Sequence, residues 1–255
     1  MGQPRSKLVL SFDTNLQVVK KMKLFQLILA SAVLAAPAVQ AQTVFDFANL
    51  TNGNSSNFLP TNGVSCTGDD KCSSDVSSVL NGTLSFASGG ITVNATAAYG
   101  GSLFGTIAAV VQDHENGYNN TTGIGAGLGV YHQLNNNSDD NITVGEALKL
   151  SFNQAVTISA IGLRDDGHNT SFSSGTKFDY SFDNISWASA NLTSSVTLNH
   201  TGQDFYIRYG ETNGAQFYLS SMTVTAVPEP ETYAMLMAGL GVIGFMSRRR
   251  KAHKA

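Results

Sequence analysis

Short runs of alternating apolar and polar residues, separated by turns rich in Gly, Asn and Ser, fill the middle of this chain. In Leu148–Phe152, Phe178–Phe182 and Phe205–Tyr209, every second residue is aliphatic or aromatic. Because successive side chains of a strand point to opposite faces, this period of two predicts strands with one buried and one exposed face. The candidate strands are Thr43–Ala48, Thr83–Ala87, Ile91–Ala97, Leu103–Val111, Gly127–Gln133, Ala147–Phe152, Val156–Leu163, Lys177–Phe182, Ser195–Asn199, Asp204–Tyr209 and Gln216–Ala226.

This pattern predicts an all-β body, an antiparallel β-sandwich or jelly roll. The composition agrees, since Thr, Asn, Ser and Gly suit strands and turns better than helix interiors. Residues 49–82 hold few apolar side chains, and we expect them to form a long loop. No amphipathic helix of ordinary length is predicted within the body.

The N-terminal region has the pattern of a secretory signal peptide. Lysines at 20, 21 and 23 precede an apolar run from Leu24 to Ala36, and small residues lead to Ala41. This order predicts a signal helix at 22–41 that signal peptidase removes between Ala41 and Gln42. Met22 stands where such a peptide begins, so residues 1–21 are interpreted as a start-site artefact. A buried N-terminal helix, the alternative, leaves the lysines unexplained.

The C-terminal region has three parts in order. Pro228, Glu229 and Pro230 come first, an apolar stretch at 233–246 follows, and a basic tail occupies 248–254. As a helix this stretch is about 21 Å long, shorter than the roughly 20 residues of a comfortable span. We predict a short transmembrane helix that holds the protein in the membrane at least transiently. Its cytoplasmic stop is Arg248, Arg249, Arg250 and Lys251.

Together these parts resemble the PEP-CTERM sorting signal of Gram-negative bacteria, here residues 227–255. The resemblance implies export through the inner membrane, processing by exosortase, and delivery to the cell surface or the exopolysaccharide matrix. A plain single-span tail anchor has the same topology and remains the alternative. Tails of this kind also occur in ice-binding proteins, but the body shows no regular array of Thr-x-Thr strands that would present a flat face to ice.

The body, residues 42–226, is strongly acidic once the two ends are set aside. It holds 15 acidic and 5 basic side chains, a net charge of −10. Phosphate backbones and anionic head groups repel such a surface, so we expect no nucleic-acid partner. Cys66 and Cys72, the two cysteines of the chain, predict a short-range disulfide in an exported protein, whereas a metal site lacks nearby His or Cys partners.

A second, looser resemblance lies inside the body. A Gly-Leu-Gly-Val strand at 127–130, an acidic loop, and strands around 146–152 and 156–158 are similar to a segment frequent in PEP-CTERM surface proteins, where Phe152 and Val156 would flank a hairpin. Residues 178–187, ending in Trp187, are similar to a strand–turn–Trp unit of sandwich modules that bind carbohydrate. Both resemblances imply the fold rather than an activity.

Two polar loops are candidate binding sites. Arg164, Asp165, Asp166 and His168 follow a strand and, with Trp187, form a candidate sugar- or ion-binding site; the alternative is an ordinary turn. In the other loop, oxygen-bearing side chains are spaced rather like a calcium loop, although Gly is missing at its sixth position; the alternative is a solvated turn. These calcium candidates are Asn135, Asn137, Asp139, Asn141 and Glu146.

Acid–base catalysis is the third class considered. Asp113, Glu115 and His132 supply ionisable groups, but no known catalytic spacing organises them. We therefore expect no enzymatic activity. We expect no resident cofactor either, apart from calcium if the calcium hypothesis holds. The prediction is an exported structural or adhesive protein. A carbohydrate-binding module of the exopolysaccharide matrix is the first alternative, and an extracellular glycan-active enzyme is the second.

Overall fold

A computed structural model describes residues 41–48, 61, 66–67, 71–73, 82–100, 108–113, 125–132, 140–228 and 230–252. The chain divides after Val227 into a β body and a C-terminal segment, and each is described by itself. The strands of the body are β1 (Gln42–Asp46), β2 (Cys66–Thr67), β3 (Lys71–Ser73), β4 (Leu84–Ser88), β5 (Ile91–Tyr99), β6 (Ala109–Asp113), β7 (Gly127–Tyr131), β8 (Glu146–Asp165), β9 (Lys177–Ser181), β10 (Ala188–Asn191), β11 (Ser195–Tyr209) and β12 (Phe217–Ala226).

The long strand β8 organises the sheet. β11 pairs with one edge of β8 along most of its length. The other edge is shared, because β5 pairs with residues 146–152 and β12 pairs with residues 156–165. β12 is itself an inner strand, since β1 and β7 lie on its far edge.

The remaining strands extend this framework on both sides. β9 and then β10 follow the C-terminal part of β11, and β6, β3 and β2 follow β7. β4 pairs with β5. The pairs between these strands are antiparallel, which confirms the prediction of an all-β, antiparallel body; the sandwich or jelly-roll arrangement stays a prediction.

One apolar core receives the buried face of nearly every strand. In β8, Leu148, Leu150 and Phe152 are buried while Lys149 and Ser151 between them are partly exposed. The aromatic rings of Phe45 and Phe47 lie 6.1 Å apart between centroids, and Phe47 meets Phe86 edge-on at 5.0 Å. Burial of such side chains contributes about 1.5–3 kcal/mol each. The period of two in the sequence therefore marks the core faces.

Four of the predicted strands are joined in pairs, which corrects the expected hairpin between Phe152 and Val156. The segments 147–152 and 156–163 form one 20-residue strand, and 195–199 and 204–209 form one 15-residue strand. Register shifts lie between Thr197 and His200 and between Gly202 and Asp204. A bulge accommodates an extra residue and lets the strand continue while its buried side changes, so a break in alternation does not end it.

Two further elements differ from the prediction. β2 and β3 form a small hairpin inside the predicted loop 49–82, and β10 was not among the predicted strands. Both are short and carry little apolar alternation, so the pattern could not mark them. The glycine-rich strand β7 packs closely against its neighbours, because a methyl group on Gly129 would overlap the backbone carbonyl of Asp140.

The C-terminal segment contains helix α1 (Pro230–Ala252). It is longer than the apolar stretch 233–246, because it continues through Arg248–Lys251 at its end. In the part of the chain that is described, no helix combines the length and the hydropathy that crossing a membrane requires.

Candidate functional site

A hydrogen-bonded turn follows β8 and carries most of the predicted ligand-binding residues. The Asp165 carboxylate accepts hydrogen bonds from the backbone N–H groups of Gly167 (3.0 Å) and Asn169 (2.7 Å). The Arg164 guanidinium donates to the His168 carbonyl at 2.8 Å. His168 itself has a left-handed backbone, with φ of 64°. Asp165 and Arg164 therefore fix the shape of the turn and present the His168 side chain.

The His168 ring contacts Asp113, the last residue of β6, a strand that is not paired with β8. Its Nε2 lies 3.1 Å from Oδ2 of Asp113, whose side chain is 5% exposed. The same ring meets the Tyr218 ring edge-on, with centroids 5.4 Å apart. Asp113 and the 164–169 turn, two separate candidates in the sequence, thus belong to one site.

Tyr218, at the start of β12, is the centre of this site. It is 2% exposed, and its hydroxyl donates to Oδ1 of Asp140 at 2.6 Å. Burial raises the pKa of Tyr218, and the negative charges of Asp140, Asp113 and Asp166 raise this pKa further. The phenol therefore remains protonated and donates a hydrogen bond to its acidic surroundings.

Backbone pairing brings Asp140 and Asn141 to Tyr218. Ile142 N donates to Phe217 O at 2.7 Å, and Val130 N donates to Asn141 O at 3.2 Å. The Asn141 amide, which is 2% exposed, donates through Nδ2 to Oδ1 of Asp166 at 2.5 Å. Its own Oδ1 is buried and has no hydrogen-bond partner among the residues that the structure describes. We refer to Asp113, Asp140, Asn141, Asp166, His168 and Tyr218 as the tyrosine cluster.

The tyrosine cluster is rich in acceptors. The donors of Tyr218, Asn141 and His168 face carboxylates within the cluster, so a ligand here would have to supply N–H or O–H donors of its own. A metal centre is not indicated: within the described residues, no three His, Cys, Asp or Glu side chains are placed to hold an ion.

Trp187, the other predicted ligand-binding residue, has different neighbours. The Arg208 guanidinium lies over its indole ring at 4.0 Å from the centroid. Arg208 also contacts Asp179, at 3.4 Å, and Glu211. Such stacking on a charged, hydrogen-bonded Arg orients the indole. Its contacts join Trp187 to β11 and β9, whereas Asp113 and Tyr218 hold the 164–169 turn.

The predicted calcium loop is described only in part. Asn135, Asn137 and Asp139 lie outside the described residues. Asn141 belongs to the tyrosine cluster, and Oε2 of the buried Glu146 accepts a hydrogen bond from the Thr143 backbone N–H at 2.9 Å. Both described candidates therefore have structural roles, and calcium binding stays a prediction.

Three other candidates are placed as follows. Cys66 lies directly opposite Cys72 in the β2–β3 backbone register, and the disulfide stays a prediction. His132 is buried and stacks on Tyr99 with ring centroids 3.3 Å apart. Burial lowers the pKa of His132 and favours its neutral form. Glu115 lies outside the described residues.

The predicted processing points lie at the ends of strands. Gln42, which would become the first residue after cleavage at Ala41, opens β1 and pairs with Thr225. β12 ends at Ala226, so Pro228 lies two residues beyond its end, and Pro230 is the first residue of α1. Glu229 lies outside the described residues. Arg248, Arg249, Arg250 and Lys251 fall within α1.

Sequence reasoning missed the central role of Tyr218 and the contribution of Asp140. The Tyr218 ring is 2% exposed and offers no face to a ligand, so its role is to hold the cluster together. The sequence offered only an indirect signal for their contact: Tyr218 lies on the apolar run of β12, which predicts burial, and Asp140 lies in an Asn/Asp-rich loop.

Comparison with known families and proteins gives one match. The PEP-CTERM protein-sorting motif matches residues 226–251. No curated protein matches the chain.

Proposed function

Because a PEP-CTERM protein-sorting motif occupies residues 226–251, we propose that this chain is a structural or adhesive protein, without catalytic activity, of the cell surface or exopolysaccharide matrix. The motif is the observation that carries the proposal. It marks an exported protein that exosortase sorts in Gram-negative bacteria. The role of the body after delivery is inferred from its own contacts.

The position of the motif supports release of a complete body. β12 ends at Ala226, and Val227 N still donates to Ala155 O at 3.0 Å. Processing at Pro228–Glu229–Pro230 would therefore remove no strand. Signal peptidase cleavage after Ala41 would likewise leave β1 whole, because this strand begins at Gln42.

The contacts of the tyrosine cluster support a role without turnover. Asp113 holds the His168 ring, Asn141 holds Asp166, and the Asp165 carboxylate closes its own turn. General acid–base catalysis needs a group that exchanges its proton near neutral pH. The Tyr218 pKa is raised by burial, so this phenol does not serve as such a base.

For the C-terminal segment we propose transient retention at the inner membrane. The apolar part of α1 is short, and arginines follow it within the same helix. Such a tail would hold the body outside the cytoplasm until exosortase acts. We propose no resident cofactor, and calcium binding by the loop at 135–146 remains a hypothesis.

For the body we propose a β-sandwich. β5 and β12 share one edge of β8 at different halves of that strand. One layer would contain β4, β5, β9 and β10, and the other would contain β1, β12, β7 and β6. The supporting observation is that strands of both groups contribute buried side chains to one core.

Cell fractionation tests the sorting. In cells with exosortase, we expect the protein at the surface or in the medium with a mass that lacks the tail; without exosortase, the inner membrane should retain the full tail. Replacing Pro228, Glu229 and Pro230 with Ala should reproduce the exosortase-deficient result, and Glu231→Gln should not. Intact chain in the cytosol would contradict the proposal.

Carbohydrate binding at the tyrosine cluster is the second candidate. The observation that favours it is the exposed Asp166 carboxylate at the edge of the cluster, because a carboxylate accepts hydrogen bonds and sugar hydroxyls donate them. On a polysaccharide array, the purified chain should give a saturable, sugar-specific signal. Asp166→Asn should weaken that signal, and Asp183→Asn, in an exposed turn outside the cluster, should not. Equal signals from both variants would exclude the site.

A further inference from the structure

Two rows of uncharged side chains, five of them threonines, cross the outward side of four adjacent strands, β1, β12, β8 and β11. In the first row, Gln42 pairs with Thr225, Thr225 with Thr157, and Thr157 with Thr201. The next row consists of Val44, Thr223, Ala160 and Thr197, in the same strand order. We call these eight positions the hydroxyl face.

The face points away from the core. In β12, Met222 and Val224 are fully buried, whereas Thr223 and Thr225 alternate with them and are partly exposed. At one margin Val44 is 50% exposed, and at the other Thr197 and Thr201 are exposed. The rows therefore lie on the solvent side of the sheet across all four strands.

The polar groups of the face are fixed before any ligand arrives. The hydroxyls of Thr157 and Thr201 are 2.8 Å apart and hydrogen-bonded. Ser159, between the two rows, receives a hydrogen bond from the Gln42 amide at 3.1 Å and donates to the Thr223 carbonyl at 3.1 Å. Groups that are already ordered lose little entropy on binding.

The hydroxyl face carries no charge. None of its eight positions carries a charge, although the body as a whole has a net charge of −10. An anionic polymer would be repelled by the body, and a polycation would find its partners elsewhere on it. A neutral, hydroxyl-bearing ligand is neither repelled by the acidic body nor drawn to its carboxylates elsewhere.

Size favours a narrow partner. Each row crosses three gaps of about 4.8 Å and is therefore about 14 Å long, and the two rows lie about 7–13 Å apart along the strands. With a margin of about one residue on each side, the face covers roughly 300 Å². A stable protein–protein interface needs about 800 Å² from each partner. The face is too small to hold a second copy of this chain by itself, but it is wide enough for several sugar rings.

We propose that the hydroxyl face is a docking surface for an extended, neutral polysaccharide chain. Hydroxyls of the polymer would exchange hydrogen bonds with the threonine rows, while sugar rings would pack on the Thr methyl groups and Val44. The proposal names a ligand class for the adhesive role and to that extent rests on it. The face is distinct from the tyrosine cluster.

Retention on insoluble polysaccharides tests the proposal. The full chain, purified in mild detergent, is mixed with cellulose, a neutral glucan, and with beads of alginate, an anionic polymer. We expect retention on cellulose that survives 0.5 M NaCl, and none on alginate. Thr157→Val with Thr201→Val keeps the side-chain shape but removes the paired hydroxyls, and should reduce retention about tenfold.

Two further variants make the result decisive. Thr92→Val with Thr96→Val removes two strand hydroxyls from β5, outside the face, and should bind like the unmodified chain. Thr197→Arg, at the exposed margin, should also lower retention and covers the case in which the double variant unfolds. No retention of the unmodified chain, equal retention of all variants, or shaping of ice crystals without retention on cellulose would overturn the proposal. Because all variants keep the sorting motif, normal surface delivery in that case would leave the proposed function standing.

Discussion

Asp204 on β11 shows how a single residue links neighbouring strands. Its carboxylate accepts a hydrogen bond from Ser151 at 2.6 Å and an ion pair from Lys149 at 3.2 Å, both on β8. Tyr206 donates to the same carboxylate at 3.3 Å. Burial opposes ionisation of Asp204, but these partners outweigh it and lower its pKa.

This lowered pKa predicts a pH dependence of stability. A carboxyl group whose folded pKa lies below its unfolded value of about 3.9 stabilises the protein above that pH, and the contribution is lost as the pH falls toward the folded pKa. Asp204→Asn should therefore cost about 0.5–1 kcal/mol at pH 7, since the pair is partly exposed to solvent.

Urea unfolding from pH 7 to pH 2 measures the effect. The difference in unfolding free energy between the unmodified chain and Asp204→Asn should shrink as the pH falls below about 4. Ser151→Ala, which removes one of the three partners, should give an intermediate profile. A difference that stays constant down to pH 2 would contradict the assignment.

At the same scale, sequence identified parts of the candidate site but not their assembly. The turn chemistry of Asp165 and the polarity of His168 are local properties, and the turn lies where the sequence predicts it. The pairing of His168 with Asp113 joins positions 55 residues apart in the chain. Such a contact depends on the order of strands in the sheet, which no local pattern encodes.

β1 is the element in which the two sides of the sheet are most easily compared. Phe45 is fully buried and contacts the rings of Phe47 and Phe152, with centroids at 6.1 and 6.5 Å. Val44, its neighbour, is 50% exposed on the outward side. Adjacent residues of one strand therefore differ in burial as the alternation requires.

Truncating each of these side chains separates core packing from strand propensity. Phe45→Ala should lower the free energy of unfolding by about 3–5 kcal/mol, because it removes apolar contacts and leaves a cavity. Val44→Ala should cost about 0.5 kcal/mol or less, as surface substitutions usually do. Urea denaturation of both variants measures the difference, and similar losses would mean that β1 is placed the other way round.

The alternation of apolar and polar residues predicts most of the strands, but it does not predict which of them are continuous with one another. The pattern marks Leu148–Phe152 and Phe205–Tyr209 because each buries one face of a strand. It fails to join 147–152 to 156–163, since the neighbouring strand changes from β5 to β12 between them. A polar interval such as Asn153–Gln154 can form a turn, or it can lie within a strand where one neighbouring strand ends and another begins. Which of the two occurs depends on the strands that pair with it.

On the scale of the whole molecule, the first and last strands of the body are neighbours. Gln42 pairs with Thr225, so the predicted signal cleavage point and the start of the sorting motif lie at the same end of the β1–β12 pair. Tyr218 and its cluster lie at the opposite end of β12, seven residues from Thr225, a distance of about 23 Å along the strand. Processing at either end, as proposed, would therefore take place well away from the cluster.

This arrangement predicts that the body folds without either end. A fragment of residues 42–227 contains all twelve strands of the described residues and the backbone hydrogen bond from Val227 to Ala155. It should unfold cooperatively in urea, with a strand-rich circular dichroism spectrum. A fragment that stops at Gln216 lacks β12, which is paired to β1, β7 and β8, and should not fold. Cooperative folding of the shorter fragment would show that β12 is dispensable.

The amino-acid sequence by itself determined the destination of this protein and the class of its fold. A sorting motif consists of contiguous residues, and alternation is a property of neighbouring residues, so both can be read without a structure. The tertiary structure alone decided which strands are adjacent. That order unites Asp113, Asp140 and His168 around Tyr218, and it aligns threonines from three strands, β12, β8 and β11, on one face, because side chains distant in sequence meet only through the register of the sheet.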